Sequence, residues 1–292
     1  MNSFWKIAFF CIIACFGTGA VHAAPLPAKA NVSAYSVLSL ANPYKTPVSD
    51  MFNFPCGATL TDRDGFTYKT VQVGTQCWMA ENLKTKTRPD GVPLTTGNDT
   101  SERDCISSSN TRGTEADCQK YGALYTLAGI YFDNDLTQDI CPRGWRTPQD
   151  SDFALLEQSQ SPTRSCNPDR NSREGATATG CRAILPLDDC RGSGAALKIG
   201  GSTGFDWQLS GVRLFDEASN TVSFQGSGRD GYLWSRDLFF NWCGWRHGNF
   251  EFGIYRQVSK FSPGIIREKI FVGEPLVGDV GITAMQIRCI KK

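Results

Sequence analysis

Histidine is scarce in this 292-residue chain, which carries only His22 and His247. A Ser-His-Asp hydrolase triad therefore has almost no imidazole to draw on. No C-x-x-C pair occurs among the 12 cysteines, so the ligand spacing of structural zinc is missing. Charge of one sign is also missing: 30 Lys+Arg stand against 29 Asp+Glu. Without a basic surplus, non-specific nucleic-acid binding has no electrostatic footprint. No apolar stretch reaches the roughly 20 residues that a membrane-spanning helix needs. Hydrophobic residues at 40% and charged residues at 20% allow a packed core and exclude wholesale disorder.

Cysteine is plentiful, and the N-terminus offers a reason. Lys6 precedes the apolar run Ile7–Phe16, and small residues follow up to Val21-His22-Ala23. This pattern predicts a signal peptide over 1–23, cleaved after Ala23. A lipobox-like reading, with Cys15 acylated, fits less well because Ile13 and Phe16 flank the position poorly. Cleavage removes Cys11 and Cys15 and leaves an even set of cysteines in an oxidising compartment, where they pair. The expected location is outside the cytoplasm: secreted, at the cell surface or periplasmic.

Residues 24–55 carry Pro25, Pro27, Pro43, Pro47 and Pro55 and read as an extended leader or linker. The folded domain is expected over 56–292. Asp62-Arg63-Asp64-Gly65 and Gly74-Thr75 are turn signals, and the β-formers of Phe66–Val73 and Gln76–Met79 make an antiparallel meander around them. Residues 84–118 are polar and read as a long loop without a core of its own. Tyr121–Tyr131 returns to apolar character and predicts a short helix. Thr147 as cap, Pro148 at the first position and Asp150 as capping-box acid predict a helix over Pro148–Gln158, with Phe153, Leu155 and Leu156 as its apolar face. From Phe205 onward short strands alternate with glycines, and Ile282–Ile290 alternates as a terminal strand.

Several of these pieces stand in a known order. Asp64–Val71, Trp78-Met79-Ala80-Glu81-Asn82-Leu83, Cys118–Thr126, Cys141-Pro142-Arg143-Gly144-Trp145-Arg146-Thr147-Pro148, Tyr232-Leu233-Trp234-Ser235 and Ile287-Arg288-Cys289-Ile290-Lys291 resemble the Fibrobacter succinogenes major paralogous domain family. The resemblance covers roughly 56–292. It implies an α+β fold of the C-type-lectin-like and formylglycine-generating-enzyme-like sort, with small twisted antiparallel sheets, a few helices and long loops. It implies no particular activity. Insertions around Cys166–Cys190 and Asn241–Lys269 depart from the family pattern, and functions particular to this chain are expected there.

The resemblance also places Cys141 before the main helix and Cys289 on the last strand, positions tied in lectin-like domains, and so implies Cys141–Cys289. Cys105–Cys118 is expected to close the polar loop, and Cys56–Cys77 to clip the first meander. Cys166, Cys181, Cys190 and Cys243 allow three pairings, with Cys166–Cys181 and Cys190–Cys243 preferred by proximity.

Candidate chemistry is sparse. Gly226-Ser227-Gly228-Arg229-Asp230-Gly231 has dinucleotide-motif spacing, but a strand pattern follows it where a helix would be needed, so it reads as a turn. Asp133, Asp135 and Asp139 place oxygens as a calcium loop does, yet Gln138 and Gly144 occupy the positions that want glycine and glutamate. Formylglycine-type catalysis needs an unpaired, activated thiol, and full pairing is the simpler reading. The expected function is binding without catalysis, toward a protein or glycan at the cell surface. A structural subunit or adhesin of a surface assembly such as a pilus, and an enzyme related to formylglycine-generating enzymes, are the alternatives. The aromatic stretch Phe239–Phe250 supplies the candidate site. Trp234, Phe240 and Trp242 share a parity and are assigned to the core. Trp245, Arg246, His247 and Asn249 are assigned to the binding surface.

Overall fold

The computed structural model describes residues 54–131, 139–160, 193–216, 219, 221–242, 249–273 and 282–292. The first hairpin pairs β1 (Leu60–Thr61) with β2 (Thr67–Tyr68) across the Asp62–Gly65 turn. Asp62 makes that turn by accepting the Asp64 and Phe66 N–H groups, both at 2.9 Å. The expected Phe66–Val73 strand divides at Lys69 into β2 and β3 (Thr70–Val73), and β3 turns into β4 (Gln76–Met79).

The polar segment 84–118 is not coreless. Leu94 and Ile106 are buried, and β5 (Arg103–Asp104) pairs with β6 (Leu124–Tyr125). Between them lies α1 (Glu115–Tyr121), started by Thr114, whose backbone N–H donates to Asp117 at 2.8 Å. The single helix expected over Tyr121–Tyr131 is instead β6 followed by the short α2 (Leu127–Ile130).

Strand β7 (Trp145–Arg146) leads to the main helix, α3 (Asp150–Gln160), which begins two residues later than Thr147-Pro148 suggests. Thr147 donates both its N–H and its hydroxyl to Asp139, at 2.8 and 2.9 Å, and the helix starts beyond it. The Pro148 carbonyl takes the Arg236 N–H. The capping-box acid is Asp152, which accepts the Gln149 N–H at 2.6 Å. Phe153 and Leu156 face inward, but Leu155 lies off that stripe and is exposed.

The second half is strand-rich: α4 (Ser193–Leu197), β8 (Ser210–Asp216), β9 (Thr221–Ser227), β10 (Asp230–Trp242), β11 (Asn249–Ser259), β12 (Ile265–Gly273) and β13 (Ile290–Lys291). One sheet has the order β12-β11-β10-β8-β9, and another has β3-β4-β13-β7. The architecture is α+β. The C-terminal segment joins the sheets: Ala284 bridges Arg213, Met285 bridges Tyr125, Gln286 bridges Leu233, and Ile290 pairs with Trp78 and Arg146. Three disulfides staple the domain: Cys56–Cys77, Cys105–Cys118 and, on the C-terminal segment, Cys141–Cys289. No helix among the described residues is long and apolar enough to cross a membrane.

Candidate functional site

Arg288 is a fully buried guanidinium with no carboxylate bonded to it among the described residues. Its Nε donates to Asn82 Oδ1 at 2.9 Å, and its two terminal nitrogens donate to the Phe205 and Asp206 carbonyls. The group also lies 4.5 Å from the centre of the Phe205 ring. Burial pulls its pKa down to about 9, which still leaves it charged at neutral pH. Asn82 donates in turn to the Tyr121 carbonyl at 2.9 Å. Gly122, at φ 82°, lies so close that a Cβ there would sit 2.2 Å from Asn82 Cβ. Met79 and Leu83 donate their N–H groups to Cys289 and Ile287, both at 2.9 Å. Trp78 fills the space between Phe153 and Phe205.

A second charged node fixes β10 and β11 against α3. Arg256 is buried between two acids, with Nε on Glu157 at 2.6 Å and Nη1 paired to Asp150 at 2.6 Å. Arg267 on β12 closes on Asp150 with Nε at 2.9 Å and Nη2 at 2.9 Å. Burial alone would raise the Asp150 pKa, but Arg256 and Arg267 overcome it and hold the carboxyl below its ordinary value. Between Trp234↔Tyr255 and Leu238↔Gly253, β10 takes four steps while β11 takes two. The bulge this creates reaches back to the helix, where Asp237 accepts the Asp150 N–H and so caps α3 from another element. Beyond the bulge the register runs from Leu238↔Gly253 to Trp242↔Asn249.

The other end of β11 turns through Ser259–Gly264, and Lys198, Ala195 and Arg229 each bond to this turn. Lys198 donates its ammonium to the Ser259 and Ser262 carbonyls, both at 2.8 Å. Ala195 N–H donates to the Pro263 carbonyl at 3.1 Å, and Lys260 N–H to the Arg229 carbonyl at 2.7 Å. Gly194 allows this approach, since a Cβ there would sit 2.5 Å from the Gly264 carbonyl oxygen. Phe261, between the two carbonyls that hold Lys198, is 79% exposed, and Ile199, next to Lys198 in the chain, is 64% exposed. Burial lowers the Lys198 pKa.

The family model described as the Fibrobacter succinogenes major domain matches residues 71–291. The chain belongs to that family. No curated protein and no solved structure matches it. In this Fibrobacter succinogenes major domain, the blocks that carry the resemblance meet in the interior. Trp78, Asn82, Cys141, Trp145, Trp234, Arg288 and Cys289 are all buried. Trp234 even satisfies its indole N–H internally, on the Tyr125 carbonyl at 2.8 Å.

The sequence-derived site residues divide between the described and undescribed parts of the domain. Asn249 opens β11, paired with Trp242. Trp245, Arg246 and His247 lie outside the described residues, as do Cys166, Cys181, Cys190 and Cys243 with their two preferred pairings. Asp133 and Asp135 of the calcium pattern also lie outside. Asp139 is described, and its carboxylate accepts the Cys141 N–H at 3.0 Å, the Thr147 N–H at 2.8 Å and the Thr147 hydroxyl at 2.9 Å. Among the described residues, Cys105, Glu115 and Cys118 form a cluster of metal-type donors. Its two sulfurs are bonded to each other, and Glu115 holds Arg103 at 3.0 Å. Gly228-Arg229 is the turn between β9 and β10, as the strand pattern after the glycines implies. Sequence reasoning missed the Phe261 turn. Its signal was a lone large aromatic among Ser259, Lys260, Ser262, Pro263 and Gly264, where turn residues leave no neighbour to bury it.

Proposed function

We propose that this chain is an exported, disulfide-stapled recognition module of C-type-lectin-like architecture that acts by binding and not by turnover. The carrying observation is that the family blocks are buried in the interior, while β10 and β11 lead out to the candidate aromatic stretch. The family blocks are buried around Arg288 and Cys141–Cys289, where they hold the fold. Strands β10 and β11, which end at Trp242 and begin at Asn249, are fixed to α3 by the Asp150–Arg256 node. On this reading Trp245, Arg246, His247 and Asn249 contact a protein or glycan at the cell surface: the indole stacks, and the polar groups set orientation. The signal-peptide pattern and the formed disulfides support a site of action outside the cytoplasm.

The test is retention of the purified full chain on intact cell envelopes of its own source. Trp245→Ala is expected to lower retention at least about tenfold, the scale of a binding hot spot, while the disulfides and far-UV spectrum stay unchanged. Equal retention by the variant defeats the site. N-terminal sequencing of the exported chain is expected to begin at Ala24, and a diacylated Cys15 would replace that expectation. A second reading, a subunit of a surface assembly, rests on β12, the edge of its sheet among the described residues. Co-purification with surface appendages distinguishes it from a free module.

A further inference from the structure

We propose that the β11–β12 turn is a membrane contact, with Phe261 at its crest and Ile199, Lys198 and Lys260 around it, and that it docks the protein on an anionic lipid surface. The inference goes beyond the recognition reading and uses a different part of the molecule.

Three observations carry it. The first is exposure on a turn tied down by hydrogen bonds. Phe261 is 79% exposed on a turn held by the Lys198 ammonium, by Ala195 and by the Arg229 carbonyl, and Ile199, next to Lys198 in the chain, is 64% exposed. An aromatic side chain on a turn held this way loses little further freedom when it inserts. The second is charge. Segments 193–204 and 257–266 contain Lys198 and Lys260 and no acid. Lys198 is bonded only to carbonyls, and Lys260 has no ion-pair partner among the described residues. Arg229 is nearby but neutralised by Asp230 at 2.6 Å. Lys260 is exposed next to the apolar crest, and the Lys198 ammonium, bound to the turn's own carbonyls, adds a positive charge that no acid offsets among the described residues; each basic residue near an anionic leaflet strengthens binding. The third is shape. A sugar or small ligand needs concave walls. Phe261 stands on a turn, so its ring suits the headgroup–acyl boundary, where amphipathic surfaces bury their apolar groups.

The position has a consequence for the recognition end. Strand β11 has 11 residues, and at about 3.3 Å per residue its two ends lie about 35 Å apart. Docking through Phe261 leaves the Trp242–Asn249 end of the strand about that distance from the point of contact.

The experiment is co-sedimentation of the oxidised chain, processed to begin at Ala24, with vesicles of phosphatidylcholine alone and with phosphatidylglycerol added at about one part in three. The expected result is partition onto the anionic vesicles only, weakened by salt and lowered roughly tenfold in Phe261→Ala. Lys260→Glu lowers it as well, and Trp245→Ala leaves it unchanged, which separates this inference from the recognition site. Phe261 is exposed, so its truncation leaves the fold intact. Phe261→Trp gives a second readout, with emission shifting to the blue on adding anionic vesicles. Equal partition of wild type and Phe261→Ala overturns the proposal, as does failure to bind either vesicle. Envelope binding that needs Phe261 but is lost on protein-free lipid also overturns it, in favour of a protein partner.

Discussion

At the residue scale the molecule depends on polar groups buried with their partners. Arg288 is held by one amide oxygen and two carbonyls, so each bond counts. Asn82→Ala removes the acceptor at Nε and leaves the Tyr121 carbonyl with only the longer bond from Ser210 Oγ, at 3.4 Å. The expected loss is about 2–3 kcal/mol, the range for a hydrogen bond to a buried charge. Urea unfolding with disulfides intact measures it, and a loss under about 0.5 kcal/mol, the size of an ordinary surface substitution, would contradict the assignment. Gly122→Ala is expected to be at least as costly. It combines a positive φ with a methyl that would sit 2.2 Å from Asn82 Cβ.

At the element scale the junction of α3 with β10, β11 and β12 depends on Asp150. Its carboxylate answers two guanidiniums, Arg256 and Arg267, and its N–H is capped by Asp237. Asp150→Asn leaves a buried arginine short of a counter-charge, and the expected destabilisation is about 3 kcal/mol. The pH dependence follows from the direction of the shift. Asp150 has a folded pKa below its ordinary 3.8, so its stabilisation is complete above that value. It is lost as pH falls through the lower folded value. The acid limb of a stability–pH curve should therefore flatten in Asp150→Asn, and an unchanged limb would show that other carboxylates dominate. Hydrogen exchange of the β11 and β12 amides should rise in the same variant, because the node is what ties these strands to the helix.

At the scale of the whole molecule, Cys141–Cys289 spans a sequence separation of 148 and closes more than half of the described fold. In the loop-entropy account a ring of that size stabilises by about 4–5 kcal/mol. The double change Cys141→Ala with Cys289→Ala is expected to lose most of that, read by thermal or urea unfolding of the otherwise oxidised chain. Non-reducing peptide mapping should recover Cys56–Cys77, Cys105–Cys118 and Cys141–Cys289. The alkaline side also belongs to the molecule as a whole. Burial raises the pKa values of Tyr68, Tyr125, Tyr131 and Tyr255, and pushes Tyr232 up to about 12. Their stabilisation is fully present below the unfolded value near 10 and is lost as pH rises through the folded values. Phenolate absorbance from these five should rise together with loss of the near-UV signal. Independent, gradual ionisation in the folded state would contradict their burial.

The sequence by itself determined the parts whose causes are local or whose order is distinctive. Turn chemistry at Asp62–Gly65 and Gly74-Thr75 needs only neighbouring residues, and both turns stand where expected. The ordered blocks from Trp78 to Cys289 established the family and, through it, the α+β class and the Cys141–Cys289 staple. Tertiary structure decided what depends on residues distant in the chain. Thr147 has every local feature of a cap, but α3 starts two residues later, where Asp152 accepts the Gln149 N–H and Asp237 on another element accepts the Asp150 N–H. Segment 84–118 reads as solvated, yet Leu94 and Ile106 are buried in it and β5 finds its partner in β6. Asn82 and Arg288 are separated by most of the domain, and only the passage of the C-terminal segment between the sheets brings one to the other. Phe261 is exposed for the same kind of reason. Its neighbours in sequence make the turn, but Lys198 and Ala195, from a different element, hold that turn where its ring meets water.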